Sequence, residues 1–286
     1  SNSPYYYPYY RFHGDSLIHI PENANGKHGI HNNDLSTNDA IAFIKRNKDN
    51  PFFLYLAFDA PHEPYNIDQT AWYEGQETWE PNTKRYASLI THMDAQVGRI
   101  IEALKKNGLD KNTLIVFASD NGLSVGHHGL IGKQSMYDHS AKVPLVFCGL
   151  GLPKGEVRNQ LIYLQDLVPT VYDLVGIKKP NHLEFISQIN ALKSSKASSH
   201  RKAIYSAYLQ EAQRMVTDGH YKLFFIPASK DAYLFDLEKD PQETNNLFGS
   251  PQYKRIVKRL CAEYQQLSKE SGDTFNLAAI YPELFQ

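Results

Sequence analysis

Two rhythms of apolar and polar positions run along the chain. Behind a capping-box-like Ser36-Thr37-Asn38-Asp39, the residues Ala40, Ile41, Phe43 and Ile44 recur at helical spacing, and Asn47 to Asn50 form a polar exit. A helix is predicted there. Pro51-Phe52-Phe53-Leu54-Tyr55-Leu56-Ala57-Phe58 is a continuous apolar run of strand length, the pattern of a strand covered on both faces. From Lys84 to Asn107 the stripe Tyr86, Leu89, Met93, Val97, Ile100 and Leu104 predicts a long amphipathic helix stopped at Gly108. Further buried strands are predicted at Leu114–Ala118 and Val143–Phe147, and a capped helix from Asp166 to Val175 ends at Gly176.

Strand, helix and strand in repetition predict an α/β fold: a mostly parallel sheet flanked by helices, with ligands at the carboxyl ends of its strands. After a serine-rich polar stretch from Lys193 to Lys202 the pattern changes to short runs, Ala203–Tyr208, Arg214–Thr217, Tyr221–Ile226 and Tyr233–Phe235. These predict a small antiparallel sheet, closed by a C-terminal helix over about Gln252 to Leu267. The expected division is therefore a larger α/β part over 1–200 and a small antiparallel subdomain over 201–286. The Tyr/Pro-rich opening from Tyr5 to Tyr10 is read as an extended segment packed on the domain surface in preference to a sugar-stacking surface.

With 286 residues the chain is long enough for a substantial core. Thirty basic residues against 31 acidic ones give a net charge of -1, which speaks against nucleic acid or anionic lipid as partner. No apolar run reaches the roughly 20 residues that cross a bilayer, so no membrane span is expected. Cys148 and Cys261 lie far apart and outside any C-x-x-C spacing, which suggests neither a zinc site nor a disulfide framework.

The candidate chemistry sits at the polar exits of the strands. Asp120 and Asn121, directly after Leu114–Ala118, offer adjacent oxygen ligands for a hard cation such as calcium. Lys133 supplies a compact positive charge for an anionic oxygen, and glycines 122, 126, 129 and 132 let the loop approach a ligand closely. Asp-Asn-Gly alone is an ordinary turn signal. His62, between Pro61 and Glu63-Pro64 at the end of the first apolar run, is a candidate proton donor, while His128 either lines a substrate pocket or supports its loop.

The run from Ser119 to Pro144 resembles the sulfatase family, in which a strand-end Asp-Asn pair, an H-G (His128-Gly129), a G-K (Gly132-Lys133) and a Y-E/D-x-S-x-x-V-P run (Tyr137 to Pro144) follow in this order. Pro51-Phe52-Phe53-Leu54 with Pro61-His62-Glu63-Pro64, Asp166-Leu167-Val168-Pro169-Thr170, and Leu234-Phe235-Asp236-Leu237 with Asp240-Pro241 extend the resemblance over nearly the whole chain. It implies an alkaline-phosphatase-like fold, Asp120 and Asn121 as two calcium ligands, Lys133 on a sulfate oxygen, and His62 serving the leaving group. It also implies a sulfated small molecule or carbohydrate as substrate, and a periplasmic or other extracytoplasmic location.

The family's nucleophile is a formylglycine made from cysteine or serine in a C/S-x-P/A-x-R motif, and its calcium site is completed by paired aspartates on an N-terminal strand; neither occurs here, so the calcium site is expected to be incomplete in this chain. The chain is therefore expected to be the C-terminal portion of a sulfatase, inactive by itself, and inclined to self-associate through strand edges left uncovered. Two other readings share the pattern: a phosphate or phosphonate ester hydrolase of the same superfamily, and a non-catalytic sulfatase-like binding protein.

Overall fold

The computed structural model describes residues 6–285, which form two compact units, 1–113 and 114–286. Tyr5 of the Tyr/Pro-rich opening lies outside the described residues. In the first unit a hairpin of β1 (Tyr10–His13) and β2 (Ser16–His19) precedes two helices packed on each other, α1 (Asn32–Asn47) and α2 (Pro81–Lys106). The first helix starts four residues before the predicted capping box: His31 is its N-cap and accepts a hydrogen bond from Asn33 N through Nδ1. The second follows its predicted stripe, with Leu89 and Leu104 buried, and ends where Gly108 turns at φ +70°.

The second unit opens with β3 (Ile115–Ala118), β4 (Ser124–Val125) and β5 (Ile131–Gly132), followed by α3 (Asp138–Ala141) and β6 (Leu145–Cys148). Next come α4 (Leu167–Val175), closed by Gly176 at φ +71°, and α5 (Ile189–Lys193). Strands β7 (Ile204–Tyr208), β8 (Gln213–Thr217), β9 (Tyr221–Ile226) and β10 (Asp231–Asp236) form one antiparallel sheet in the order β10-β9-β8-β7, and α6 (Lys254–Glu270) packs on it. The elements are those of an α/β fold, with the small antiparallel sheet and its closing helix as the sequence predicts.

Period-two alternation in β9 fixes what each face of that sheet does. Leu223 and Phe225 point into a core shared with Val216, Leu234, Leu260 and Tyr264, all fully or nearly fully buried. Phe224 points the other way, against Met136, Met215 and Phe235. Each such side chain contributes roughly 1.5–3 kcal/mol on burial. The second cluster carries the loop that the sequence marks as chemical, because Met136 and Tyr137 rest on it.

Strand pairing departs from expectation. Every ladder among the described residues is antiparallel, including β3 with β6 (Ile115 to Cys148, Ala118 to Leu145), and the Pro51–Phe58 run pairs with none. A continuous apolar run signals burial but says nothing of a neighbour's direction. In this run exposure alternates, with Phe53 at 78% and Tyr55 at 81% while Phe52 and Leu54 are half-buried, so the backbone is extended with one face open.

Candidate functional site

In the first unit His62 sits in the turn that ends the Pro51–Phe58 run, where its N–H donates to Asp59 O. Its Nδ1 lies 2.6 Å from Glu63 O. A carbonyl oxygen only accepts, so the proton of the neutral ring resides on Nδ1 and Nε2 is the working atom of an exposed imidazole. The turn is held from behind by Tyr6, which is buried and whose hydroxyl donates to His62 O at 2.6 Å and to Asp59 O at 3.2 Å. Burial and the neighbouring Asp59 charge keep that phenol protonated well above its ordinary range. Asn32, at the start of α1, donates through Nδ2 to the Asp59 carboxylate.

In the second unit Asp120 and Asn121 follow β3 directly. Asp120 Oδ1 accepts from Asn121 N at 2.9 Å, and Asn121 Nδ2 donates to Gly122 O at 2.7 Å. Asp120 Oδ2 and Asn121 Oδ1 thus have no hydrogen-bond partner among the described residues. Gly122 locks the pair in place: its N–H donates to Ser140 O, and a Cβ there would lie 2.0 Å from His139 O. Only glycine fits this approach.

A narrow hairpin, β4 with β5, carries the next candidates. Ser124, fully buried, ties it from within, donating to His127 O and Leu130 O. His128 occupies the tip at φ +55°, and its ring stacks on Tyr137 with centroids 3.9 Å apart. Lys133 follows Gly132, which takes φ +106°, and its half-buried side chain has no hydrogen-bond or ion-pair partner among the described residues.

Tyr137, Asp138 and His139 are anchored to the antiparallel sheet. Tyr137 packs edge-on against Phe224 at 5.0 Å. Lys222, 1% exposed, forms ion pairs with Asp138 and, at 2.7 Å, with the buried Glu243, whose other oxygen accepts from Asp138 N at 2.6 Å. Burial pushes the Glu243 carboxyl up, opposed by Lys222 and by the Asp138 N–H. His139 Nδ1 is 2.7 Å from Ser140 Oγ, while its Nε2 is buried without a partner. Burial, then His128 and His127, lower its pKa to about 4, so the ring is neutral at pH 7.

Asp120, Asn121, His128 and Lys133 therefore belong to one unit, on a loop stitched to a rigid sheet, and His62 belongs to the other. The donor set fits calcium: a carboxylate oxygen and an amide oxygen, adjacent and unengaged, are hard ligands. Formylglycine does not fit this chain's own residues, because Cys148 is followed by Gly149-Leu150-Gly151 and Cys261, buried in the C-terminal core, by Ala262-Glu263-Tyr264.

Sequence reading missed Tyr6, Lys222 and Glu243, since nothing local links them to the loops they hold. It also missed a cluster of His31, Asp34 and His92. The only sequence signal for that cluster is a histidine three positions before an aspartate at a helix start.

Comparison with known proteins follows the same residues. The sulfatase family model matches residues 1–177, and the model described as N-sulphoglucosamine sulphohydrolase, C-terminal, matches residues 126–270. An arylsulfatase of Clostridium perfringens is 28% identical over 269 residues, covering 80% of this chain and 56% of its own. The crystal structure of a sulfatase from Bacteroides fragilis superposes with a TM-score of 0.78 at 23% identity, over 95% of this chain and 65% of that one. A structure in complex with its substrate D-glucosamine-2-N,6-O-disulfate superposes with a TM-score of 0.74 at 19% identity, over 87% and 72% of the two chains. The chain spans about half the length of the curated relatives it matches.

Proposed function

Because the chain belongs to the sulfatase family, we propose that it carries cation-binding residues in one unit and a leaving-group acid in the other for the hydrolysis of sulfate monoesters of carbohydrates. The observation that carries this reading is the pair of oxygens on Asp120 and Asn121, locked by Gly122, with Lys133 after the same hairpin, none of which has a partner among the described residues. Two hard oxygens and one free ammonium suit a cation and the anion it accompanies.

Asp120 and Asn121 would hold calcium, which when bound supplies fixed positive charge for the sulfate oxygens. Lys133 adds a second positive charge, delivered as a point rather than a fork. A sulfate ester builds negative charge on its bridging oxygen as the S–O bond breaks. His62, with Nδ1–H held by Glu63 O, in its protonated form donates the Nε2 proton to that oxygen and is left neutral. His128, stacked on Tyr137 at the tip of the hairpin, would contact the substrate.

The chain holds no C/S-x-P/A-x-R motif to supply the acceptor of the sulfuryl group, and the 286-residue polypeptide by itself is expected to give no turnover. Sulfated glucosamine is the favoured substrate class. It is supported by the N-sulphoglucosamine sulphohydrolase match over 126–270 and by the disulfated glucosamine held by a protein of the same fold. A periplasmic or extracytoplasmic location is supported by similarity to an extracellular sulfatase homolog of Drosophila melanogaster, 28% identical over 221 residues. No helix among the described residues is long and apolar enough to cross a membrane.

The reading is tested in the natural gene product that contains this chain. His62→Ala should slow hydrolysis of a sugar sulfate by roughly 10²–10⁴-fold, yet slow a nitrophenyl sulfate far less, because the better leaving group needs no proton. Equal losses on both substrates would overturn the assignment of His62.

A further inference from the structure

We propose that His31, Asp34 and His92 form a binding site for a late first-row divalent cation, zinc being the natural occupant, separate from the oxygen ligands Asp120 and Asn121. All three residues lie in the first unit. His31 is the N-cap of α1, Asp34 is in its first turn, and His92 projects from α2, which packs on α1. Their ligand atoms lie within 4.8 Å of one another.

The second, independent observation is His31 itself. The residue is 5% exposed, and its Nε2 is buried with no hydrogen-bond partner. A buried polar atom without a partner is costly, and natural folds rarely leave one unless something binds it. The ring cannot easily swing away, because it stacks on Tyr6 at 5.0 Å, meets the edge of Tyr7 at 5.4 Å, and lies 4.6 Å from the His92 ring.

Two imidazole nitrogens and one carboxylate are a zinc-type donor set with a position left open, whereas calcium prefers oxygen alone. Asp34 Oδ2 is 3.0 Å from His92 Nε2, and its Oδ1 faces Arg99 at 3.5 Å. Arg99 is itself held by Gln96 and Asn38. That guanidinium orients the carboxylate while opposing a cation, so binding is expected to be weaker than in a closed four-ligand site.

Asn33 N–H donates to His31 Nδ1, so the neutral ring carries its proton on Nε2. When the cation takes His31 Nε2, that proton moves to Nδ1 and the Asn33 contact is given up; His92 Nε2, which donates to Asp34 Oδ2, must likewise pass its proton to Nδ1, so that the His92–Asp34 hydrogen bond is replaced by two bonds to the cation. The cation replaces one cap hydrogen bond with a tie between α1 and α2, beside the Asn32–Asp59 and Tyr6–His62 contacts that hold the His62 turn.

Zinc is titrated calorimetrically into the purified chain, against a competing chelator and with calcium in excess to fill any all-oxygen site. The expected result is one zinc per chain, with affinity at least tenfold lower in His92→Gln and in Asp34→Asn and unchanged in Asp120→Asn. Absence of zinc binding, or binding indifferent to both substitutions, would overturn the proposal. Should a variant lose its circular-dichroism spectrum, X-ray absorption on the zinc-loaded parent decides: two imidazoles in the zinc shell uphold the site, and fewer than two refute it.

Discussion

The hydroxyl of Tyr6 donates a hydrogen bond to the carbonyl oxygen of His62 at 2.6 Å, joining the start of the described chain to the turn that presents the candidate proton donor. Tyr6 belongs to the Tyr/Pro-rich opening that was expected to pack on the domain surface, and it is 1% exposed, packed with Ala60, Ile67 and Leu89. Its ring fills a core and its hydroxyl closes a turn. Tyr6→Phe keeps the first contribution and removes the second. The expected loss is about 1–2 kcal/mol of unfolding free energy, read from urea denaturation. An unchanged midpoint would mean that water replaces the hydroxyl at no cost.

Lys222 lies between Asp138 and Glu243 with 1% of its side chain exposed. Removing one partner of a buried ion pair strands the others, so Lys222→Ala should cost about 3–5 kcal/mol. Replacing Lys222 and Glu243 together by Met and Leu should recover part of that loss, because the apolar pair removes two buried charges and leaves unpaired the partly exposed Asp138, with its N–H, and the Met136 carbonyl. Thermal unfolding of the three proteins checks the ranking.

These two relationships mark where sequence reading stops. Helix ends at Gly108 and Gly176 were legible because each glycine takes a positive φ that other residues resist. The alternation of Tyr221–Ile226 was legible because a strand shows its two faces locally. The start of α1 was not, since a histidine rather than the expected Ser36 caps it. Asp120, Asn121, Lys133 and His62 stood out through motif order. Lys222 did not, because its partner Asp138 lies 84 residues away and a buried lysine looks like a surface one in a strand of mixed character. Pro51–Phe58 read as a paired strand because apolar content reports burial, and only pairing reports a sheet.

Arg214 and Asp273 give the chain an acid-sensitive clasp. Arg214 is 2% exposed and reaches Asp273 through Nε at 2.7 Å and Nη2 at 3.1 Å. Burial opposes ionisation, but hydrogen bonds from Arg214, Tyr205 and Phe275 N overcome it and hold the Asp273 carboxyl at about 2. A carboxyl lowered from 3.8 stabilises the fold above that value, and the contribution disappears as pH falls from about 4 to about 2. It amounts to something on the order of 2 kcal/mol. Stability measured across this window should fall less steeply in Asp273→Asn, which starts lower because Arg214 has lost its counter-charge.

Phe53 and Tyr55 point two aromatic rings outward from a backbone run with no ladder partner. Such an edge favours pairing with another chain. We expect the sedimentation coefficient of the purified chain to rise with concentration, and the double substitution Phe53→Ser and Tyr55→Ser to flatten that rise. A constant coefficient in the parent chain would remove the self-association reading.

Gly122 joins the strand-end ligands to the anchored loop, and its replacement separates local folding from cation binding. An alanine Cβ would lie 2.0 Å from His139 O and 2.8 Å from His139 C, both backbone atoms, so no side-chain rotation relieves the clash. Either the Asp120–Asn121 turn or the Tyr137–Ser140 turn must move, and the second is fixed by Lys222, Glu243 and Tyr137 packing. The ligand pair therefore gives way. Gly122→Ala should leave the spectrum of the C-terminal sheet intact while weakening calcium binding at least tenfold, which calorimetry would read directly. Calcium affinity equal to that of the parent chain would show that the cation is held elsewhere, and would withdraw Asp120 and Asn121 as its ligands.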